Sequence, residues 1–108
     1  MRISFKCKTN GNQCAINTVK FILPNNTTIT VDRTRTEYEI EGDELSMTWY
    51  SCYLWAINGN SIFTDEAYIT DASGFEDLVA DSKVEFELEE DTVGEDYAVE
   101  CIEYSIGE

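Results

Sequence analysis

Histidine is absent from the 108 residues. Its absence removes general acid–base catalysis by imidazole and every histidine-dependent nucleophilic triad. Cations are scarce as well: seven Lys and Arg stand against 22 Asp and Glu, a net charge of −15. Affinity for nucleic acid comes from cations that neutralise phosphates, so direct binding to DNA or RNA is not expected. Binding to an anionic membrane surface is disfavoured for the same reason. No apolar run approaches the ~18 residues of a membrane-spanning helix. The segment from Met1 to Cys7 lacks the apolar stretch of a signal peptide, so the chain reads as cytoplasmic. Disorder is excluded by what is present. Hydrophobic residues make up 43% and aromatics 12%, and acidic disordered chains lack that apolar content. The length fits a single acidic β-rich domain over residues 1–108.

The dominant hydrophobic period is two. Ile3, Phe5 and Cys7 alternate with Arg2, Ser4, Lys6 and Lys8, which marks a half-buried strand. Asn10-Gly11-Asn12 is a turn. Residues 15–23 form a second strand, ended by Pro24-Asn25-Asn26, and Thr27 to Arg33 a third, hairpinned to it. Thr36 to Glu41 alternates again, with Tyr38 and Ile40 expected inward, and Gly42-Asp43 turns the chain. Residues 45–57 are apolar on both faces, the mark of a central strand covered on both sides, or of one that bends between sheets. Asn58-Gly59 is a strong hairpin signal, because a type I′ turn needs positive φ at both positions. Ile62-Phe63 and Ala67 to Thr70 would form its return arm. Ser73-Gly74-Phe75-Glu76 fits a capping box opening a short helix over 74–81. Val84, Phe86 and Leu88 alternate with acids, and Tyr97 to Ile106 is the last strand. With no βαβ alternation, the pattern predicts a mainly β fold: an antiparallel sandwich or barrel of about seven or eight strands with one short helix, or an α+β variant of it. The immunoglobulin pattern does not fit, because Trp49 lies 35 positions after Cys14 and position 99 is Val rather than the corner tyrosine.

Cys7, Cys14, Cys52 and Cys101 form no C-x-x-C motif, so a thioredoxin-like redox site is excluded. Without paired short spacings or histidine they read as buried, reduced, small apolar residues rather than as a zinc site, or as disulfides, which would need an exported chain. Cys7 and Cys101 share the inward phase of their strands. Carboxylate pairs suited to glycoside hydrolysis arise by chance among so many acids, so no catalytic residue is assigned. Loop acids such as Asp65, Glu66, Asp71, Glu90 and Asp91 are hard-oxygen donors, but no EF-hand loop occurs and no metal or cofactor is expected. Asn25-Asn26-Thr27-Thr28 holds overlapping glycosylation sequons, meaningful only in a eukaryotic secreted protein.

The charge is divided along the chain. Residues 1–36 hold six cations against Asp32 alone, a net of +5, and residues 37–108 hold Lys83 against 21 acids, a net of −20. Much of that acid sits in strand-spaced rows: Glu37, Glu39 and Glu41 in one, Glu85, Glu87 and Glu89 in another. Residues two apart on a strand share a face at about 6.6–6.8 Å, of the same order as successive phosphates on a nucleic-acid strand. The apolar alternates lock each row to the core. Clustered like charge costs stability through self-repulsion, and solubility alone asks for a net magnitude of only about 2–8 in a small domain. Such rows point instead to a cationic partner. The basic first third is either a second interface or an internal counter-charge.

In size, acidity and compact fold the whole chain resembles the small acidic inhibitors made by phages and mobile elements. Among these are anti-CRISPR and anti-restriction proteins and the uracil-glycosylase inhibitor, which occupy nucleic-acid sites of their targets. The likeness rests on size and charge and assigns no residue a role. It implies a non-enzymatic inhibitor that mimics DNA and occupies the basic cleft of a nuclease or effector complex, in the host cytoplasm if phage-encoded. The expected contact residues are Glu37, Glu39, Glu41, Glu85, Glu87, Glu89, Glu90, Asp91, Glu95 and Asp96, pairing with Arg and Lys of the partner. The same physics would serve an immunity protein that neutralises a basic nuclease toxin. A different class, a surface or virion β-sandwich that binds ligand or calcium, would show oxidised cysteines or a calcium-dependent melting shift.

Overall fold

Period-two alternation becomes two antiparallel sheets packed face to face. The computed structural model describes residues 1–9, 16–61, 68–89 and 99–108. The strands are β1 (Arg2–Thr9), β2 (Ile16–Ile22), β3 (Thr28–Asp32), β4 (Arg35–Glu41), β5 (Glu44–Tyr50), β6 (Tyr53–Ile57), β7 (Asn60–Ser61), β8 (Lys83–Leu88) and β9 (Val99–Gly107), with one helix, α1 (Ala72–Leu78), between β7 and β8. A four-stranded sheet runs β4-β5-β1-β9, and a five-stranded sheet runs β7-β6-β3-β2-β8. The fold is thus a mainly β antiparallel sandwich with a short helix. The turn at Asn10-Gly11-Asn12, the return arm at Ile62-Phe63, residues 90–98 and Cys14 lie outside the described residues.

The inner faces are those the alternation marks. Ile3, Phe5 and Cys7 of β1 and Val19 and Phe21 of β2 are buried. Phe5 meets Trp49 edge-on at 5.3 Å and Phe86 of the opposite sheet at 5.2 Å, which ties the two layers together. Phe21 holds α1 through Phe75 at 5.6 Å and β9 through Tyr104 at 5.5 Å. Each fully buried aromatic or aliphatic side chain contributes about 1.5–3 kcal/mol relative to exposure.

The doubly apolar segment 45–57 resolves as a bend between sheets, not as one covered central strand. β5 belongs to the four-stranded sheet and β6 to the five-stranded one. The crossing is made at Ser51, whose φ of 52° is left-handed. That residue breaks the alternation, so Leu45, Met47 and Trp49 are buried on one side of it and Cys52 and Ala56 on the other. Strict alternation would put Trp55 and Ile57 on the face of Trp49; instead Trp55 is the extra residue of a bulge against β3, and the two are 50% and 40% exposed. Tyr38 is a second correction. It shares the face of half-buried Ile40 but is 65% exposed. β4 is the edge strand of its sheet, paired among the described strands only with β5, and its inner face is left uncovered at Tyr38.

The helix also starts earlier than its sequence cue. Asp71, not Ser73, is the N-cap, and its carboxylate accepts from the Gly74 N–H at 3.0 Å. Asp caps as well as Ser does, and its position two residues upstream puts Ser73 inside the first turn. The hairpin turns behave as read: Asn58 and Gly59 take φ of 52° and 80°, and Ile57 pairs with Asn60 across them. No helix among the described residues is long and apolar enough to cross a membrane.

Candidate functional site

The two glutamate rows occupy different faces of the molecule. Glu37, Glu39 and Glu41 alternate with Tyr38 and Ile40, whose cross-strand partners Met47 and Leu45 are buried. The row therefore lines the outer face of the four-stranded sheet, along its open edge. Glu85 and Glu87 are in register with Lys20 and Thr18, on the side opposite the buried Val19 and Phe21. That row lies on the outer face of the five-stranded sheet, pointing away from the first. Glu89 follows the end of β8 and is exposed. Glu90, Asp91, Glu95 and Asp96 lie outside the described residues.

The rows also differ in what neutralises them. Glu87 is held on both carboxylate oxygens, by Lys20 at 3.2 Å and by the Thr18 hydroxyl at 3.0 Å. In the β4 row Arg35 bridges Glu37 at 2.5 Å. Among the described residues no cation bridges Glu39 or Glu41. The tight turn at Gly42-Asp43 places Glu41 directly opposite Glu44, so the row continues onto β5. Glu39, Glu41 and Glu44 are all exposed. Like charges directly opposed across an antiparallel pair are destabilising, and Glu41 with Glu44 is such a pair. Glu44 is the site residue that sequence reasoning missed, although the Gly-Asp turn already implied its position across from Glu41.

Beside this edge the outer face is shallow. Ser4, Ser46, Thr48 and Ser105 line a cleft bounded by Lys6 and Glu103. The cations of β1 occupy the middle of the same face. Lys6 bridges Glu103 at 3.1 Å, and Lys8 is in register with Glu44 on one side and Glu100 on the other. The basic first third therefore serves largely as internal counter-charge. Its Lys6, Lys20, Arg33 and Arg35 each bridge an acid of the chain itself.

Arg33 is the most enclosed of these cations. Its side chain is 19% exposed and lies 4.2 Å over the Trp49 ring. It donates to the Ile16 carbonyl at 2.6 Å, to the Asn17 carbonyl, and to Thr36 Oγ1 at 2.8 Å, and it bridges Asp32 at 3.2 Å. These contacts join β2 of one sheet to the start of β4 in the other, so Arg33 pins the strand that carries the acidic edge. Asp32 also accepts from the Tyr53 hydroxyl at 3.1 Å. Burial, with the Asp32 charge beside it, raises the Tyr53 pKa.

Among the described residues no group of three or more His, Cys, Asp or Glu side chains is placed to hold a metal ion. Of the loop acids weighed as calcium donors, Asp71 caps α1. Asp65, Glu66, Glu90 and Asp91 lie outside the described residues. Burial pushes the Cys52 thiol up to about 11, which makes it a poor nucleophile. No protein-family model matches the chain, and no characterised protein or solved structure shows significant similarity to it.

Proposed function

We propose that the chain is a non-enzymatic protein inhibitor that mimics nucleic acid, presenting its β4–β5 edge to the basic nucleic-acid-binding cleft of a nuclease or effector complex. The observation that carries this reading is the run Glu39, Glu41 and Glu44: exposed, held on paired strands, and bridged by no cation among the described residues. Successive glutamates on β4 repeat at about 6.6–6.8 Å, a spacing that lets a groove built for phosphates place its Arg and Lys against them in turn. Arg is the better partner, because its planar fork grips a carboxylate bidentately. The surrounding negative field steers a basic partner inward and makes association fast and salt-sensitive. Glu85 and Glu87 face the opposite direction, so one flat cleft does not reach both rows at once; the β8 row serves a partner that wraps the domain, or tunes solubility.

The test is a pulldown from a lysate of a cell carrying nucleic-acid defence systems, run at low and at high salt, beside a Glu39→Gln, Glu41→Gln, Glu44→Gln variant. Retention of a nucleic-acid-handling protein at low salt, lost at high salt and lost in the variant, is the expected result. Failure to retain any such protein at low salt would sink the proposal, and equal retention by the variant would move the contact off this edge.

A further inference from the structure

The first and last strands each carry a cysteine at the same level. Cys7 of β1 and Cys101 of β9 are register partners in the antiparallel pair. Directly opposed residues in such a pair have Cα atoms about 4.5 or 5.5 Å apart, according to the type of pair. Both values fall within the range of about 4.4–6.8 Å that a disulfide tolerates. Opposed side chains project from the same face, so a bond between them asks for no shift in register. In the reduced chain the Cys101 thiol donates to the Glu103 carbonyl at 3.6 Å.

A bulge creates this placement. Lys6 pairs with Glu103 and Cys7 with Cys101, which leaves Ile102 as the extra residue on β9. Ile102 is turned out to 55% exposure, while Cys101 and Tyr104 on either side of it both face the core. The sulfurs differ in access. Cys7 is 3% exposed, whereas Cys101 is half-buried and lines a surface cleft with Ser82, Val84 and Tyr104. The Cys7 thiol beside it lowers the Cys101 pKa, because a neighbouring donor favours the thiolate. Cys52 is the contrast: fully buried, its pKa raised by burial, and hydrogen-bonded to the Trp49 carbonyl at 3.6 Å.

We propose that Cys7 and Cys101 form a reversible redox-modification site, a cross-strand thiol pair that closes to a disulfide with a small-molecule disulfide such as oxidised glutathione as the oxidant. The Cys101 thiolate attacks one sulfur of the oxidant, a mixed disulfide forms, and one glutathione thiolate leaves. The Cys7 thiol then loses its proton and attacks the Cys101 sulfur, breaking the mixed disulfide and releasing the second glutathione thiolate. Two protein thiols are oxidised, one glutathione disulfide is reduced to two thiols, and the two protons pass to the leaving glutathiones. The product ties the first strand to the last and closes nearly the whole chain into one loop, which restricts the unfolded state far more than the folded one.

The test uses the full chain. It is equilibrated with oxidised glutathione, its remaining thiols are alkylated under denaturing conditions, and the digest is mapped by mass spectrometry. The expected result is a linked pair of peptides containing Cys7 and Cys101, with Cys52 alkylated, and a thermal midpoint raised by about 10 °C over the reduced chain. Dithiothreitol reverses both. Cys7→Ser leaves Cys101 as a single glutathione adduct, and Cys101→Ser abolishes both link and adduct at these positions. Alkylation of both Cys7 and Cys101 in the oxidised wild-type sample, or linkage of either to Cys14, overturns the proposal, and the wild-type map decides this even where a serine variant fails to fold.

Discussion

Replacing Arg33 by Met tests whether one cation latches the two sheets together. Met keeps much of the apolar stem over Trp49 and deletes the charge and the planar fork. The loss comprises donation to the carbonyls of Ile16 and Asn17 and to Thr36 Oγ1, the bridge to Asp32, and the cation–π contact at 4.2 Å. Hydrogen bonds from a charged donor contribute about 1.5–3 kcal/mol each, but those made by one side chain are not additive. Deleting one partner of a buried pair costs about 3–5 kcal/mol. Because Arg33 retains 19% exposure and Asp32 keeps its bond from Tyr53, we expect the low end, about 3 kcal/mol. That is a large share of the roughly 5–15 kcal/mol that holds a domain folded. Arg33→Lys, which keeps charge without the fork, should lose about half as much. Equilibrium urea unfolding followed by tryptophan fluorescence is the assay, since Trp49 is fully buried and reports the junction. A loss below about 1 kcal/mol with an unchanged m-value would refute the latch, because the slope reports the surface exposed on unfolding.

Further expectations follow from the same structure. Stability should fall as pH rises from about 9 to about 11, because burial lifts the Cys52 thiol across that range and the folded state holds it neutral. A group with a raised folded pKa contributes fully below its unfolded value, and the contribution is lost as pH climbs through the folded one; urea midpoints across this window should flatten in Cys52→Ala. Asp71→Ala removes the N-cap of α1 and should cost about 1 kcal/mol in the same unfolding assay, with the sandwich intact. Gly59→Ala forces an L side chain to φ of 80° in the β6–β7 turn and should lower stability by about 1 kcal/mol by thermal unfolding. The Glu39→Gln, Glu41→Gln, Glu44→Gln variant should be at least as stable as the parent, most visibly at low salt, since it removes repulsion between exposed like charges. A clear loss of stability in that variant would mean the row has a structural role.

Much of the architecture is local and therefore legible in the chain. Alternation at Ile3-Phe5-Cys7 and at Val84-Phe86-Leu88 marks the inner face of each strand, because side chains on a strand change sides at every residue. Asn58-Gly59 and Gly42-Asp43 mark their turns because few residues accept positive φ, and Gly42 and Gly59 both adopt it. The direction of Trp55 was not legible. Ser51 carries no sequence mark of a left-handed residue, yet its φ of 52° reverses the phase at Cys52 to Leu54, and a bulge against β3 then leaves Trp55 as the extra residue of β6. Tyr38 was misjudged because alternation reports which face a residue takes and is silent on whether a second sheet covers that face.

The sequence alone determined the total charge of −15, the absence of imidazole chemistry and the spacing of acids within each strand. Tertiary structure decided where that charge is left over. Strand order sets β1, with its lysines, between the acids of β5 and β9, and sets Lys20 beside Glu87. A split of +5 and −20 along the chain thereby becomes four ion pairs among the described residues and an unbridged acidic edge at Glu39, Glu41 and Glu44. The same strand order brings Cys7 to Cys101 across most of the chain's length. Period-two patterning acts between residues two apart, whereas cross-strand neighbours are chosen by topology and register, which depend on how both hydrophobic faces are buried at once.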